Sequence, residues 1–139
     1  MKKVIALRGC SNIGKSNTIK KSYELLSTKY PNAGKDHEIS DVDIRVILTI
    51  HGVKVGIESQ GDPGGRLAKS LRLFVNFGCK VIVCATRTRG QTVDAVNELE
   101  SSYEILWIEQ ISVKISDQES SNLGMAKRIV KEIADILHS

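Results

Sequence analysis

Eight residues near the start of the chain, Gly9 to Ser16, have the types and the spacing of a loop that binds phosphate. They read Gly-Cys-Ser-Asn-Ile-Gly-Lys-Ser, with glycine at the first and sixth places and Lys15 before the last serine. Two glycines allow a tight turn whose backbone N–H groups point inward, and a helix starting there adds the positive end of its dipole. We therefore expect this loop to hold a polyphosphate.

The side chains of the same segment predict individual roles. Lys15 would reach the β- and γ-phosphates, and the Ser16 hydroxyl would occupy one position in the coordination shell of Mg²⁺. Asn17 or Thr18 would donate to the α-phosphate. The expected nucleotide-binding set is Gly9, Cys10, Ser11, Asn12, Ile13, Gly14, Lys15, Ser16 and Asn17.

The flanking sequence supplies the elements that such a loop needs. The apolar run from Val4 to Leu7 predicts a buried strand, and apolar residues recur at helical spacing from 17 to 30. With strand, glycine loop and helix in this order, residues 4 to 18 resemble the P-loop NTPase superfamily. The resemblance implies an α/β fold that binds a nucleoside triphosphate with Mg²⁺.

Composition limits the other possibilities. A chain of 139 residues suits one domain, so we predict a single nucleotide-binding domain over residues 1–139. No apolar stretch has the length of a membrane span, and a cytoplasmic location is expected. The 20 basic and 16 acidic residues give a charge of only +4, without a basic run, so nucleic-acid binding is unsupported.

The cysteines do not suggest a structural framework. Cys10, Cys79 and Cys84 are odd in number and lack the spacing of a zinc site. We expect three free thiols, with Cys84 packed in a strand and Cys10 in the glycine loop.

Residues 30–41 are polar and contain Pro, Gly and Asn, which predicts a loop after the first helix. In P-loop proteins this connection commonly passes near the γ-phosphate. Asp36, Glu38 and Asp41 could then hold the metal and His37 could contact the substrate, or the whole loop could be solvated surface.

A β-hairpin is predicted next. Residues 44–50 and 53–57 alternate between apolar and polar, and only His51 and Gly52 separate them. So short a link excludes a parallel crossover, so the strands must be antiparallel. The arrangement is similar to that of GTPase-like P-loop proteins and unlike the wholly parallel sheet of small kinases.

The segment from Glu58 to Arg66 is a second candidate site because it is rich in glycine and follows a strand directly. GTPase-like proteins carry D-x-x-G there, whereas this chain has Glu58-Ser59-Gln60-Gly61 followed by Asp62. Glu58 is the predicted Mg²⁺ ligand, and Gln60 or Asp62 would position an attacking water. The alternative is a turn that ends the strand.

A third candidate segment follows a predicted helix (66–77, closed by Gly78) and a continuous apolar strand (81–85). Loops at the carboxyl end of a central strand hold ligands in open α/β sheets. GTPase-like proteins show N/T-K-x-D there, but this chain has Thr86-Arg87-Thr88-Arg89, which makes ATP the expected nucleotide. Arg87 and Arg89 could stabilise phosphoryl transfer or be exposed loop charges.

The remaining residues predict ordinary secondary structure. Thr92 would cap a short helix, and 105–108 would form a strand. Alternation at Ile111, Val113 and Ile115 predicts a short outer strand, and Ser116 to Glu119 fits a capping box that opens the last helix.

These observations predict a three-layer α/β P-loop sandwich of five or six strands, mostly parallel, with one antiparallel hairpin strand. The expected function is binding and hydrolysis of Mg²⁺-ATP, with Lys15, Gln60, Asp62, Arg87 and Arg89 as catalytic candidates and Ser16 and Glu58 as metal ligands. A small kinase for a nucleotide or another small molecule, or a nucleotide-gated binding protein with little turnover, remains open. The sequence names neither an acceptor nor a protein partner.

Overall fold

The computed structural model describes residues 2–40 and 42–138. Those residues form a mixed α/β structure with six strands and four helices. The strands are β1 (Lys3–Arg8), β2 (Gly34–Ser40), β3 (Ile44–Ile50), β4 (Val53–Glu58), β5 (Val81–Thr86) and β6 (Glu104–Glu109). The helices are α1 (Lys15–Lys29), α2 (Leu67–Asn76), α3 (Gln91–Asn97) and α4 (Ile115–Leu137).

The strands make one sheet in the order β2-β3-β4-β5-β1-β6. Strands β4, β5, β1 and β6 pair in parallel, whereas β3 is antiparallel to both β2 and β4. The predicted hairpin is confirmed. Its link, His51-Gly52, has positive φ at both residues (51° and 78°), as a two-residue turn between twisted strands requires.

Helices cover both faces of this sheet because the strands are apolar on both sides. Ile5 and Leu7 belong to a core shared with α1 and α4, whereas Val4 and Ala6 belong to a second core shared with α2 and α3. Successive side chains of a strand point to opposite faces, so β1 contributes to both cores. The α/β architecture with a mostly parallel mixed sheet is therefore confirmed.

The predicted loop over residues 30–41 is wrong for most of its length. Residues 34–40 form β2, which pairs with β3 and has an irregular register between Asp36 and Ile39. An edge strand gains its backbone hydrogen bonds from one neighbour and can leave its side chains in water, so it lacks the apolar alternation that marks inner strands. Asp41 lies outside the described residues.

The outer strand and the capping box predicted near residues 111–119 are also wrong. Helix α4 begins at Ile115 after an N-cap at Lys114, so Ser116 lies inside the helix. Ile111 and Ile115 are 73% and 87% exposed, so these alternating residues are not buried as the residues of a packed strand would be. Among residues 2–40 and 42–138, no helix is long and apolar enough to cross a bilayer.

Candidate functional site

The glycine loop (residues 9–14) joins β1 to α1 and depends on its two glycines for different reasons. Gly14 is the N-cap of α1 with φ of 96°, a conformation that side chains disfavour, and a Cβ there would lie 2.9 Å from the Asn122 amide. A Cβ at Gly9 would lie 2.5 Å from the Gln110 carbonyl oxygen. The loop is therefore packed tightly against the end of β6 and the start of α4.

Lys15 is buried beneath this loop, where it bridges the carboxyl ends of β1 and β5. Its Nζ donates to the Gly9 carbonyl and, at 2.7 Å, to the carbonyl of Thr86 at the end of β5. Burial lowers the pKa of Lys15, and the nearby Arg87 lowers it further, while Asp62 and Cys10 oppose these effects. A desolvated ammonium held only by two carbonyls gains strongly from a neighbouring anion.

Ser16, at the first turn of α1, meets an acidic residue that sequence reasoning missed. Its hydroxyl donates to Asp43 Oδ1 at 2.8 Å, and the same oxygen accepts from the Ser59 hydroxyl at 3.0 Å. Ser59 in turn accepts from the backbone N–H of Ile44 at 2.8 Å. The start of β3 and the end of β4 thus hold Asp43 over the N-terminus of α1.

These groups line one open cleft of about 450 Å³, the glycine-loop cleft. The loop and α1 form one wall, and the segments before β3 and after β4 form the opposite wall. Its lining residues are Ser11, Asn12, Gly14, Lys15, Ser16, Asn17, Lys20, Val42, Asp43, Ser59, Gln60, Gly61, Asp62, Ala85 and Gln118. Of the predicted nucleotide-binding set, Gly9, Cys10 and Ile13 are outside this lining.

Gln60 and Asp62 face the cleft as expected, and both are held by other groups. Gln60 Oε1 accepts from the Arg66 backbone N–H at 2.8 Å. Asp62 accepts from Arg87, whose Nη2 lies 3.1 Å from Oδ1 and whose Nε lies 3.3 Å from the same oxygen. This ion pair is at the surface, where it adds little stability. Its arrangement keeps a guanidinium beside the cleft.

Glu58, the residue predicted to bind Mg²⁺, lies elsewhere. Its carboxylate is fully buried and accepts from Arg66 Nε at 2.8 Å, from the Ser70 hydroxyl at 2.6 Å and from the Gln60 N–H at 3.1 Å. The Glu58 side chain faces α2, whereas that of the next residue, Ser59, faces the cleft. The structure does not bring Glu58 to Ser16.

Arg89 and the charged residues of β2 are also away from the cleft lining. Arg89 is exposed, two residues beyond the Arg87 that pairs with Asp62. Glu38 accepts from the Tyr23 hydroxyl at 3.2 Å, and the His37 ring packs on Phe77 with centroids 4.4 Å apart. Thr92 does not cap α3, whose N-cap is Gly90; its hydroxyl accepts from the Arg87 N–H at 2.9 Å.

A buried amide network behind the glycine loop is a second feature that sequence reasoning missed. Gln110 follows β6, and its Nε2 donates to the Ile13 carbonyl at 3.0 Å and to Asn122 Oδ1 at 3.1 Å. Its Oε1 accepts from the Thr18 hydroxyl at 3.0 Å. Buried polar groups that satisfy one another specify a single arrangement, so the network fixes the loop relative to α1 and α4. A polar residue directly after an apolar strand was the available signal.

The described residues contain no group of three or more His, Cys, Asp or Glu side chains that could hold a metal. Two carboxylates line the cleft, those of Asp43 and Asp62, and the Asp62 side chain is 67% exposed. A hard cation such as Mg²⁺ would complete its shell there with waters and with oxygens of a bound phosphate.

Comparison with known proteins does not assign the chain to a family. No protein-family model, curated protein or solved structure matches the chain. The chemistry of the cleft must therefore be argued from its own residues.

Proposed function

We propose that this chain is a P-loop NTPase that binds and hydrolyses a nucleoside triphosphate, ATP in the first instance, with Mg²⁺. One observation carries the proposal. In a single cleft, the glycine loop, the buried Lys15 and the Ser16–Asp43 pair lie together at the N-terminus of α1. The glycine loop and Lys15 fit a phosphate, and the Ser16–Asp43 pair fits a hard cation such as Mg²⁺.

The phosphate part of the proposal rests on uncompensated positive charge. The first N–H groups of α1 lack partners within the helix, and the helix dipole favours an anion at that end. Lys15 and Lys20 both line the cleft. A polyphosphate would replace the carbonyl partners of Lys15 with charged oxygens, which are stronger acceptors.

The oxygen donors of Ser16 and Asp43 fit Mg²⁺, which prefers hard oxygen ligands and usually takes only one or two from the protein. We therefore assign the metal position to Ser16 and Asp43, in place of the Ser16 and Glu58 that the sequence predicted. When bound with the phosphates, Mg²⁺ would neutralise charge on the β- and γ-oxygens.

The chain's own residues supply the remaining chemistry. Gln60 is anchored by the Arg66 N–H and lines the cleft, so it is placed to orient a water at the terminal phosphate. Asp62 could accept the proton of that water, and Arg87, which it holds at 3.1 Å, could offset the charge that develops on the phosphate. Arg89 is less suited to this role because it is exposed and does not line the cleft.

A small kinase is the second candidate, and one observation favours it. A groove of about 380 Å³ between α2 and α3 shares Asp62 with the glycine-loop cleft. The groove also contains Arg72 and Glu98, so a polar acceptor would find charged partners there. An acceptor hydroxyl in this groove would lie on the Asp62 side of the cleft.

Incubation with γ-labelled ATP and Mg²⁺ tests the proposal. Release of labelled inorganic phosphate by the wild type, abolished in Lys15→Ala and retained in Lys69→Ala, supports hydrolysis; Lys69 is an exposed lysine of α2 outside the cleft. Label transferred to an acceptor from a panel of small molecules supports the kinase. Neither product, together with nucleotide binding that requires Lys15, would indicate a binding protein with little turnover. If nothing binds, the proposal is wrong.

A further inference from the structure

A second cleft opens beside the glycine-loop cleft, between the first turns of α1 and of α4. It has a volume of about 420 Å³ and lies between Asn17 and Lys21 of α1 and the residues that α4 presents to them. We call it the α1–α4 cleft. The two clefts share Asn17 and Gln118, so they are neighbouring parts of one depression.

The composition of this cleft departs from the rest of the α1–α4 interface. Farther along α4, Ala126, Ile129 and Ile133 are fully buried, as an ordinary helix contact requires. Within the first turns, the same side of α4 carries Gln118, Glu119 and Asn122. On this side of α4, polar side chains line the cleft, and apolar side chains form the buried contact beyond it.

One apolar residue of the cleft, Ile115, is not explained by packing within the protein. Ile115 is 87% exposed at the first position of α4, although it lines the cleft with Leu123. Ligand pockets are typically concave and lined by apolar side chains with a few polar groups that orient the ligand.

The floor of the cleft is connected to the glycine loop. Asn122 is 9% exposed, its Oδ1 accepts from Gln110 Nε2, and the same Nε2 donates to the Ile13 carbonyl. A ligand in the α1–α4 cleft would thus rest on groups that also fix the phosphate-binding loop.

Resting on the proposed function, we infer that the α1–α4 cleft holds the nucleoside of the nucleotide whose phosphates occupy the glycine-loop cleft. Asn17 and Gln118 mark the junction, where the α-phosphate and ribose meet. The base lies against Ile115 and Leu123.

The experiment compares two ligands that share their phosphates. Binding of Mg²⁺-ATP and of Mg²⁺ with inorganic tripolyphosphate is measured by calorimetry for the wild type and for Ile115→Ser. We expect ATP to bind more tightly than tripolyphosphate, because only ATP has a nucleoside for the α1–α4 cleft. Ile115→Ser should weaken ATP by about fivefold through lost apolar contact and leave tripolyphosphate unchanged. Ile111→Ser is the matched control, because Ile111 is also exposed (73%) but does not line the cleft.

The outcomes distinguish failure of the proposed phosphate site from failure of the nucleoside assignment. If Lys15→Ala leaves both ligands bound as in the wild type, the proposed function fails. If tripolyphosphate binding depends on Lys15 but Ile115→Ser does not weaken ATP, or weakens both ligands equally, the nucleoside assignment is overturned while the phosphate site remains.

Discussion

The Ser16 hydroxyl and the Asp43 carboxylate are hydrogen-bonded at 2.8 Å, although 27 positions separate them in the sequence. The same carboxylate oxygen accepts from Ser59 at 3.0 Å. Three segments therefore meet at one oxygen atom: the start of α1, the residue before β3 and the residue after β4. This junction positions a carboxylate next to the first turn of a helix that follows a glycine loop.

The first prediction concerns the metal. Asp43→Asn should reduce the affinity for ATP in the presence of Mg²⁺ by about tenfold, because a neutral amide is a poorer ligand for the cation than a carboxylate. Affinity measured with a chelator should change little. A magnesium titration of nucleotide binding checks this, with Asp36→Asn on the edge strand β2 as control. Loss of magnesium dependence in Glu58→Gln instead of Asp43→Asn would return the metal role to Glu58.

The second prediction concerns Glu58 as a structural residue. Glu58→Ala removes the partner of Arg66 Nε and Ser70, and it leaves donors near the core without acceptors. We expect a loss of about 2–4 kcal/mol in the free energy of unfolding, reduced from the full cost of a broken buried pair because Arg66 is partly exposed. Urea denaturation measures it. Glu100→Ala should cost less than about 0.5 kcal/mol, as surface substitutions usually do.

The third prediction concerns Lys15. At a free nucleotide concentration of about 100 times Kd, binding should stabilise the wild type by about 2.7 kcal/mol, which raises Tm by roughly 5–11 °C in a chain of this size. Lys15→Ala should lose most of that rise, because its ammonium is the buried cation of the cleft. Thermal unfolding with and without Mg²⁺-ATP provides the measurement. A rise that persists in the variant would locate binding outside the glycine loop.

The fourth prediction concerns thiol reactivity. Burial raises the pKa of Cys79 to about 11, and burial with the nearby Glu58 raises that of Cys84 to about 12, so both remain neutral thiols at pH 8. Cys10 is exposed. Because the thiolate is the reactive form, a thiol reagent should modify Cys10 rapidly in the native protein and all three cysteines only after unfolding. Mass spectrometry after brief alkylation checks the count. Rapid labelling of Cys10→Ser would contradict it.

Part of the fold was predictable because it depends on local pattern. The strand from Val4 to Leu7 is a continuous apolar run, and the hairpin around His51-Gly52 shows apolar alternation. Few conformations other than a strand would bury these apolar residues. The edge strand β2 was missed because it is held by backbone hydrogen bonds to one neighbour and its side chains are mostly polar, so its sequence lacks the apolar alternation that indicates a strand. The start of α4 was misplaced because three alternating residues also fit an irregular segment that ends in a helix.

The candidate site divides in the same way. By itself, the sequence determined that a glycine loop leads into a helix with Lys15 and Ser16 in its first turn, because that arrangement depends on residues close together in the chain. Only the tertiary structure decided which carboxylate meets Ser16. Side-chain direction sets that choice: Glu58 faces α2, whereas its neighbour Ser59 faces the cleft and holds Asp43, the residue before β3, next to Ser16 at the start of α1. Distances between segments far apart in the chain follow from how strands pair across a sheet, and no local spacing of residue types records that pairing.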